Sequence, residues 1–210
     1  MEENGQVPQW LAWARKLDAL AQSGLTFAQT EFDVERFRQI RHIATEILAA
    51  HTTLSGTDYL ETLELQQGYA TPKIDVRGAV IRDGKILLVR EKADGNWCMP
   101  GGWADVGEAP SESVTREIRE ESGFETIVKK IIGVFDANRG GRPMELYHAF
   151  KIVFLCEITG GEARPSYETL DVNFFDFDHL PELSQNRTHP RHLKVIRQHL
   201  EHPELPTFFD

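Results

Sequence analysis

Glu108, Arg116, Glu117, Glu120 and Glu121 crowd into the stretch from Gly102 to Phe124. Pro110 suits a first helical position, Glu112 the positively polarised first turn and Gly123 a stop, so the spacing predicts one helix over 110–122 fed by a loop. At about 100° of rotation per residue, Val114 and Ile118 form a buried stripe, and Glu117, Glu120 and Glu121 fill a wedge about 100° wide beside it. Glu117 and Glu121 repel as an i,i+4 pair, and an unpaired carboxylate at the apolar border is expensive. A hard divalent cation such as Mg²⁺ or Mn²⁺ removes both penalties, because carboxylate oxygens are its preferred protein ligands. A solvated acidic helix face is the ordinary alternative for such a run.

The match to a known family motif decides between them. Gly102, Glu108, Arg116-Glu117-Ile118, Glu120-Glu121 and Gly123-Phe124 fit G-x5-E-x7-R-E-U-x-E-E-x-G-U at every fixed position, U being a bulky apolar residue. The segment resembles the Nudix box, and the Met99-Pro100-Gly101-Gly102 approach and flanking strands extend the resemblance from about residue 70 to the C-terminus. The one small departure is Ala109, where a Ser or Thr cap is common. The resemblance implies an α/β fold, the Nudix α/β/α sandwich with a mixed sheet behind a small N-terminal helical domain. The implied activity is cleavage of a nucleoside diphosphate linked to another group, giving a nucleotide and a phosphorylated moiety, with Mg²⁺ or Mn²⁺ as cofactor.

Carried over residue by residue, Glu120 and Glu121 match the metal-binding pair, and Glu117 the glutamate that binds metal or orients the attacking water. Arg116 and Glu108 match the ion pair that braces the loop against the helix. The Gly101 carbonyl is a further candidate ligand, since glycine lets backbone approach a cation closely. A carboxylate must take the proton of the attacking water. Glu168, before the aromatic strand 172–177, is the candidate outside the box, with Glu145 as its rival. Arg77, Arg90, Arg139, Arg142 and Lys151 are candidates for substrate phosphates, with Arg139-Gly140-Gly141-Arg142 the most suggestive. Trp97, Trp103 and Tyr147 could stack on a base, although aromatic residues of this kind more often fill a core or rim.

Strands must hold these groups in place. Two β-rich runs, 76–81 and 85–90, flank Asp83-Gly84, the strongest hairpin signal in the chain. Further strand-like runs cover 127–135, 147–158 and 172–177, and a last helix is expected from about Pro190. Ahead of them, Trp10, Leu11, Ala14, Leu17 and Ala21 predict a helix stopping at Ser23-Gly24. Val34, Phe37, Ile40, Ile43, Ile47 and Leu48 predict a second, capped by Asp33. A short helix or strand is open for 58–67. Residues 1–57 read as a helical dimerisation domain and 58–210 as the catalytic domain. The helical pair resembles the extension of a bacterial Nudix subgroup named for ADP-ribose or CDP-choline hydrolysis, which implies a homodimer.

Composition bounds the rest. The chain has 210 residues, 40% apolar and 27% charged, with a net charge of −10. That balance supports a real core, and the acidity argues against nucleic acid or anionic membrane as partner. Neither a signal peptide nor a membrane span is expected, so the reading is a soluble cytoplasmic protein acting on a small molecule. Cys98 and Cys156 read as two reduced thiols in or near the core. A catalytically silent nucleotide sensor on the same fold is the alternative, and the intact set of box carboxylates speaks against it. ADP-ribose enzymes often carry a proline shortly after the box; Pro143 comes later than that pattern.

Overall fold

Two amphipathic segments start the chain as helices: α1 (Gln9–Phe27) and α2 (Glu31–His51). The computed structural model describes residues 8–52, 63, 66–139 and 148–210. One compact unit holds the described residues up to Pro72 together with His148, and a second holds Lys73–Arg139 and Ala149–Asp210.

In the first unit, helix α1 runs through Ser23-Gly24 rather than stopping there. A Cβ at Gly24 would lie 2.2 Å from the Phe37 ring, so this glycine serves close packing of α2 on α1 and not termination. The cap of α2 is Thr30, not Asp33. Thr30 Oγ1 accepts from the Asp33 N–H at 3.2 Å and donates to the Asp33 carboxylate at 2.7 Å, which places Asp33 one turn inside. Leu11, Ala14, Leu48 and Leu63 form the seam, and Trp10 stacks on His51 with centroids 4.5 Å apart. Buried Arg41 pairs through Nε with Asp18 at 3.1 Å. Most of the segment 58–67, open between helix and strand, lies outside the described residues.

The second unit is a mixed sheet between two helices. Its strands are β1 (Lys73–Arg82), β2 (Lys85–Glu91), β3 (Trp97–Cys98), β4 (Phe124–Asp136), β5 (Ala149–Gly161), β6 (Thr169–Phe175) and β7 (Phe208–Phe209). The order is β3-β2-β1-β5-β4-β7, with β6 on the other side of β2 from β1's pairing at the turn. Strands β1 and β2 form the expected hairpin about Asp83-Gly84 but pair only at Ile81–Ile86 and Arg82–Lys85 before diverging. From there β2 pairs antiparallel with β6, while β1 pairs parallel with β5. The vacated edge of β1 is taken by the loop 100–104: Val76 N–H donates to Gly102 O at 2.8 Å, and Gly78 N–H to Pro100 O at 2.9 Å.

Helix α3 (Pro110–Ser122) covers one face and α4 (Pro190–Glu201) belongs to the other. Side chains alternate along β2 accordingly: Leu87 and Val89 join Val114 and Ile118 in one core, whereas Ile86 and Leu88 join Leu193 and Ile196 in the second. The two-residue strands β3 and β7 carry no pattern of their own and were invisible to sequence reading. Both cysteines are buried and free. Among the described residues no helix is long and apolar enough to cross a membrane.

Candidate active site

Helix α3 fixes the acidic wedge. Pro110 occupies its first turn, the Glu112 carboxylate accepts from the Ala109 N–H at 2.8 Å, and Gly123 closes it in the left-handed conformation with φ 80°. The departure at Ala109 therefore leaves the start of the helix capped from Glu112. Val114 and Ile118 are fully buried, which orients the carboxylates beside them.

Glu121 is the most enclosed of the wedge, 4% exposed. Its Oε2 accepts from the Gly101 N–H at 2.8 Å. Burial pushes its pKa up to about 8, against the opposing pull of Arg77 and this backbone hydrogen bond. Gly101 itself has φ +140°, and a Cβ there would lie 2.0 Å from Val76 O, so only glycine permits the approach. Glu117 is next in depth, and its carboxylate lies against Gly102. Its pKa is raised by burial, with Arg116 working against the rise. Glu120 is half exposed, the outermost of the three.

Arg116 braces this group. Its Nε bonds Glu108 at 2.9 Å, and its Nη1 reaches both Glu117 at 2.9 Å and Glu120 at 3.1 Å. Asp105 takes Nη2 at 3.1 Å. The hydrogen bonds from Arg116 and Ser113 hold the Glu108 carboxyl below the usual carboxylate range. With Nη1 turned to Glu117 and Glu120, no three His, Cys, Asp or Glu side chains gather around one point among the described residues. The donor set nonetheless suits a hard cation. It consists of carboxylate oxygens on one helix face, the deepest of them short of compensating charge, beside a glycine turn.

Glu168 is exposed on the segment before β6. Its backbone is pinned, with its N–H donating to Ser166 Oγ at 3.1 Å and its carbonyl accepting from the Lys92 N–H at 3.1 Å. Thr169 Oγ1 donates to the Glu121 carbonyl, which ties this segment to the C-terminal end of α3.

The basic candidates separate by burial. Arg77 was expected to hold substrate phosphate, but it is 2% exposed: Nε and Nη2 bond both oxygens of Asp75 at 2.8 and 3.0 Å, and Nη1 bonds Met99 O at 3.2 Å. Lys151 is likewise buried, with Nζ 2.9 Å from Asp75 Oδ2. Burial raises the Asp75 pKa, but Arg77 and Lys151 outweigh it and the carboxyl ends below its usual range. These two cations brace the interior and the Met99 carbonyl instead of facing solvent. Arg90 is exposed and donates to Gly95 O at 2.7 Å. Arg139 is exposed and pairs with Asp136 at 3.4 Å. Trp97 packs edge-on against Phe175, whereas Trp103 is 47% exposed beside the Lys73 ammonium. Arg142, Glu145 and Tyr147 lie outside the described residues.

Sequence reading missed Asp75, the hub of the buried charges, and Glu91, 3% exposed, which accepts from Cys98 Sγ at 3.0 Å and pairs with Arg187 at 3.1 Å. An acid flanked by Ile74 and Val76 at the start of a strand was the available signal for Asp75.

Both parts of the chain match known proteins. Residues 8–62 match the family model described as a UDP-X-like, N-terminal oligomerisation domain, and residues 72–199 match the NUDIX domain. The chain is 38% identical over 202 residues to "Putative ADP-ribose pyrophosphatase YjhB" of Bacillus subtilis (strain 168), covering 96% of this chain and 97% of that protein. It is 34% identical to the ADP-ribose pyrophosphatase of Methanocaldococcus jannaschii, over 63% of this chain and 75% of that one. Among solved structures, a UDP-X diphosphatase superposes with TM-score 0.63 at 31% identity, over 96% of this chain and 98% of the other.

Proposed function

This chain belongs to the Nudix hydrolase family and is a pyrophosphatase of nucleoside diphosphates linked to a second moiety, and from that premise we propose that it acts with Mg²⁺ or Mn²⁺ and that ADP-ribose leads its substrates. The products are a nucleoside monophosphate and the phosphorylated second moiety. The observation that carries the reading is Glu121, a buried carboxylate tied to the Gly101 N–H beside Glu117 and Glu120. The relatives named as ADP-ribose pyrophosphatases support the choice of substrate.

Glu117, Glu120, Glu121 and the Gly101 carbonyl would hold the cation. When bound, it supplies charge neutralisation of the diphosphate oxygens and lowers the pKa of a water. The remaining work falls to the chain. Arg116 keeps Glu117 and Glu120 in position through Nη1 while its Nε holds the loop at Glu108. Glu168 is read as the base that accepts the proton of the attacking water, with Glu117 as the alternative acceptor. Arg139 and Arg142 are read as contacts for the substrate's phosphates or second moiety.

The N-terminal unit is read as a dimerisation surface. Support comes from its matched description and from Trp13, Leu20, Phe27, Phe32 and Ile43, large apolar side chains left exposed. Sedimentation of the full-length chain tests this, and a monomer at micromolar concentration refutes it. The cytoplasm is read as its place of action, in keeping with two free thiols.

The test of activity is nucleotide release from ADP-ribose, UDP-linked sugars and CDP-choline with Mg²⁺ or Mn²⁺. Glu120→Gln serves as the control and should lower turnover by orders of magnitude without loss of fold. Equal rates in wild type and Glu120→Gln at saturating cation would overturn the metal-site assignment.

A further inference from the structure

The N-terminal unit contains a cavity of about 700 Å³ within its own walls, a volume in the range of small-molecule sites. One wall is α2, where Arg38, Arg41 and His42 share a face at i, i+3 and i+4. Gln22 of α1 and the chain at Gln66–Gly68 also line it, joined by a hydrogen bond from Gln22 Nε2 to Gly68 O at 3.0 Å.

Arg41 sets this cavity apart from an ordinary surface hollow. The residue is 6% exposed and lines the cavity, yet only its Nε is used, on Asp18. Among the described residues its Nη1 and Nη2 have no hydrogen-bond partner. These terminal nitrogens are not sealed in protein but open into the cavity, so the fork is free to donate to whatever enters it. Planar paired donors of this kind match the oxygens of a phosphate or carboxylate. Asp18 offsets one charge, and Arg38 at the exposed rim adds another. His42 is near Glu46 at 3.5 Å on the solvent side. Among the described residues the lining is thus net positive in a chain whose overall charge is −10, a local reversal of sign that concentrates anions.

We propose that this cavity, whose lining includes none of the α3 carboxylates, binds a small phosphate monoester of nucleotide size, its phosphate on the Arg41 fork and Arg38. The depth of Arg41 favours a compact ligand over an acidic peptide, which would meet only the rim.

Calorimetry on the full-length chain in EDTA, with inorganic phosphate and adenosine 5′-monophosphate as probes, tests this. Saturable one-site binding is expected for the nucleotide. Arg38→Gln should weaken it by about tenfold or more, as the loss of one charge-assisted contact requires, while Glu120→Gln should leave it unchanged. Arg41→Lys keeps the charge and loses the fork, and should also weaken binding. If Arg41→Lys does not fold, Arg38→Gln decides alone. Binding of inorganic phosphate as tight as that of the nucleotide keeps the anion site and removes the nucleoside preference. Absence of binding at millimolar probe, equal affinity in Arg38→Gln and wild type, loss of binding in Glu120→Gln, or capture of a polyglutamate peptide without phosphate binding would each overturn it.

Discussion

Thr169 Oγ1 donates to the Glu121 carbonyl at 3.0 Å, stitching the segment that bears Glu168 to the end of the acidic helix. Two parts of the candidate site that are far apart in sequence thus share one hydrogen bond. If Glu168 takes the proton, Glu168→Gln lowers kcat far more than it raises KM and leaves cation affinity largely intact. Steady-state kinetics with a cation titration checks this. A near-normal kcat moves the base to Glu117 or Glu145.

Arg77→Met should cost about 3–5 kcal/mol, the usual result of removing one partner from a buried ion pair. Asp75 would keep Lys151 only, and Met99 O would lose its donor. Arg77→Lys should recover only part of this, because an ammonium cannot bond both Asp75 oxygens in parallel. Denaturant unfolding of the three proteins measures the difference.

The cation-free chain should lose stability as pH rises from about 5 to 8. The Glu121 carboxyl has a folded pKa of about 8 against an ordinary value of 4.5. Over that window the folded state therefore holds a proton that the unfolded state has released, and stability falls with pH. The rise at Glu117, also caused by burial, acts in the same direction. Thermal melts in EDTA should show the decline, and Glu121→Gln should flatten it while still accepting from the Gly101 N–H. A wild-type melting temperature that rises across this window contradicts the assignment.

Gly24→Ala should lower the melting temperature even though alanine favours a helix interior by about 1 kcal/mol. The new methyl group would meet the Phe37 ring. In a Phe37→Ala background the same change should raise it, and the two pairs of melts form a double-mutant cycle. Additive effects would show that the two residues do not constrain each other.

Helix α3 was legible in the sequence from Pro110 to Ser122 because both of its ends are written locally, in a proline and a glycine. The Asp83-Gly84 hairpin was legible for the same reason. Local grammar failed where a distant partner decided the outcome. Gly24 reads as a stop until Phe37 is seen beside it, and Arg77 and Lys151 read as solvent-facing cations until the parallel pairing of β1 with β5 sets Lys151 opposite Asp75. The acidic wedge was visible as periodicity, and so was the order of its members, Glu121 nearest the apolar stripe and Glu120 farthest; the contacts that fix them, such as the Gly101 N–H on Glu121, came only from packing against the loop 100–104.

That loop has a thermodynamic consequence. Gly102 O and Pro100 O are pinned to β1 on either side of Gly101, and the Gly101 N–H is pinned to Glu121. The peptide groups around Gly101 therefore have few torsional states left, their disorder having been removed when the sheet formed. A ligand that meets the Gly101 carbonyl takes almost no additional freedom from the backbone. The entropy of association falls instead on the ligand and on the waters released from it, and temperature-dependent binding should be governed by desolvation rather than by ordering of the chain.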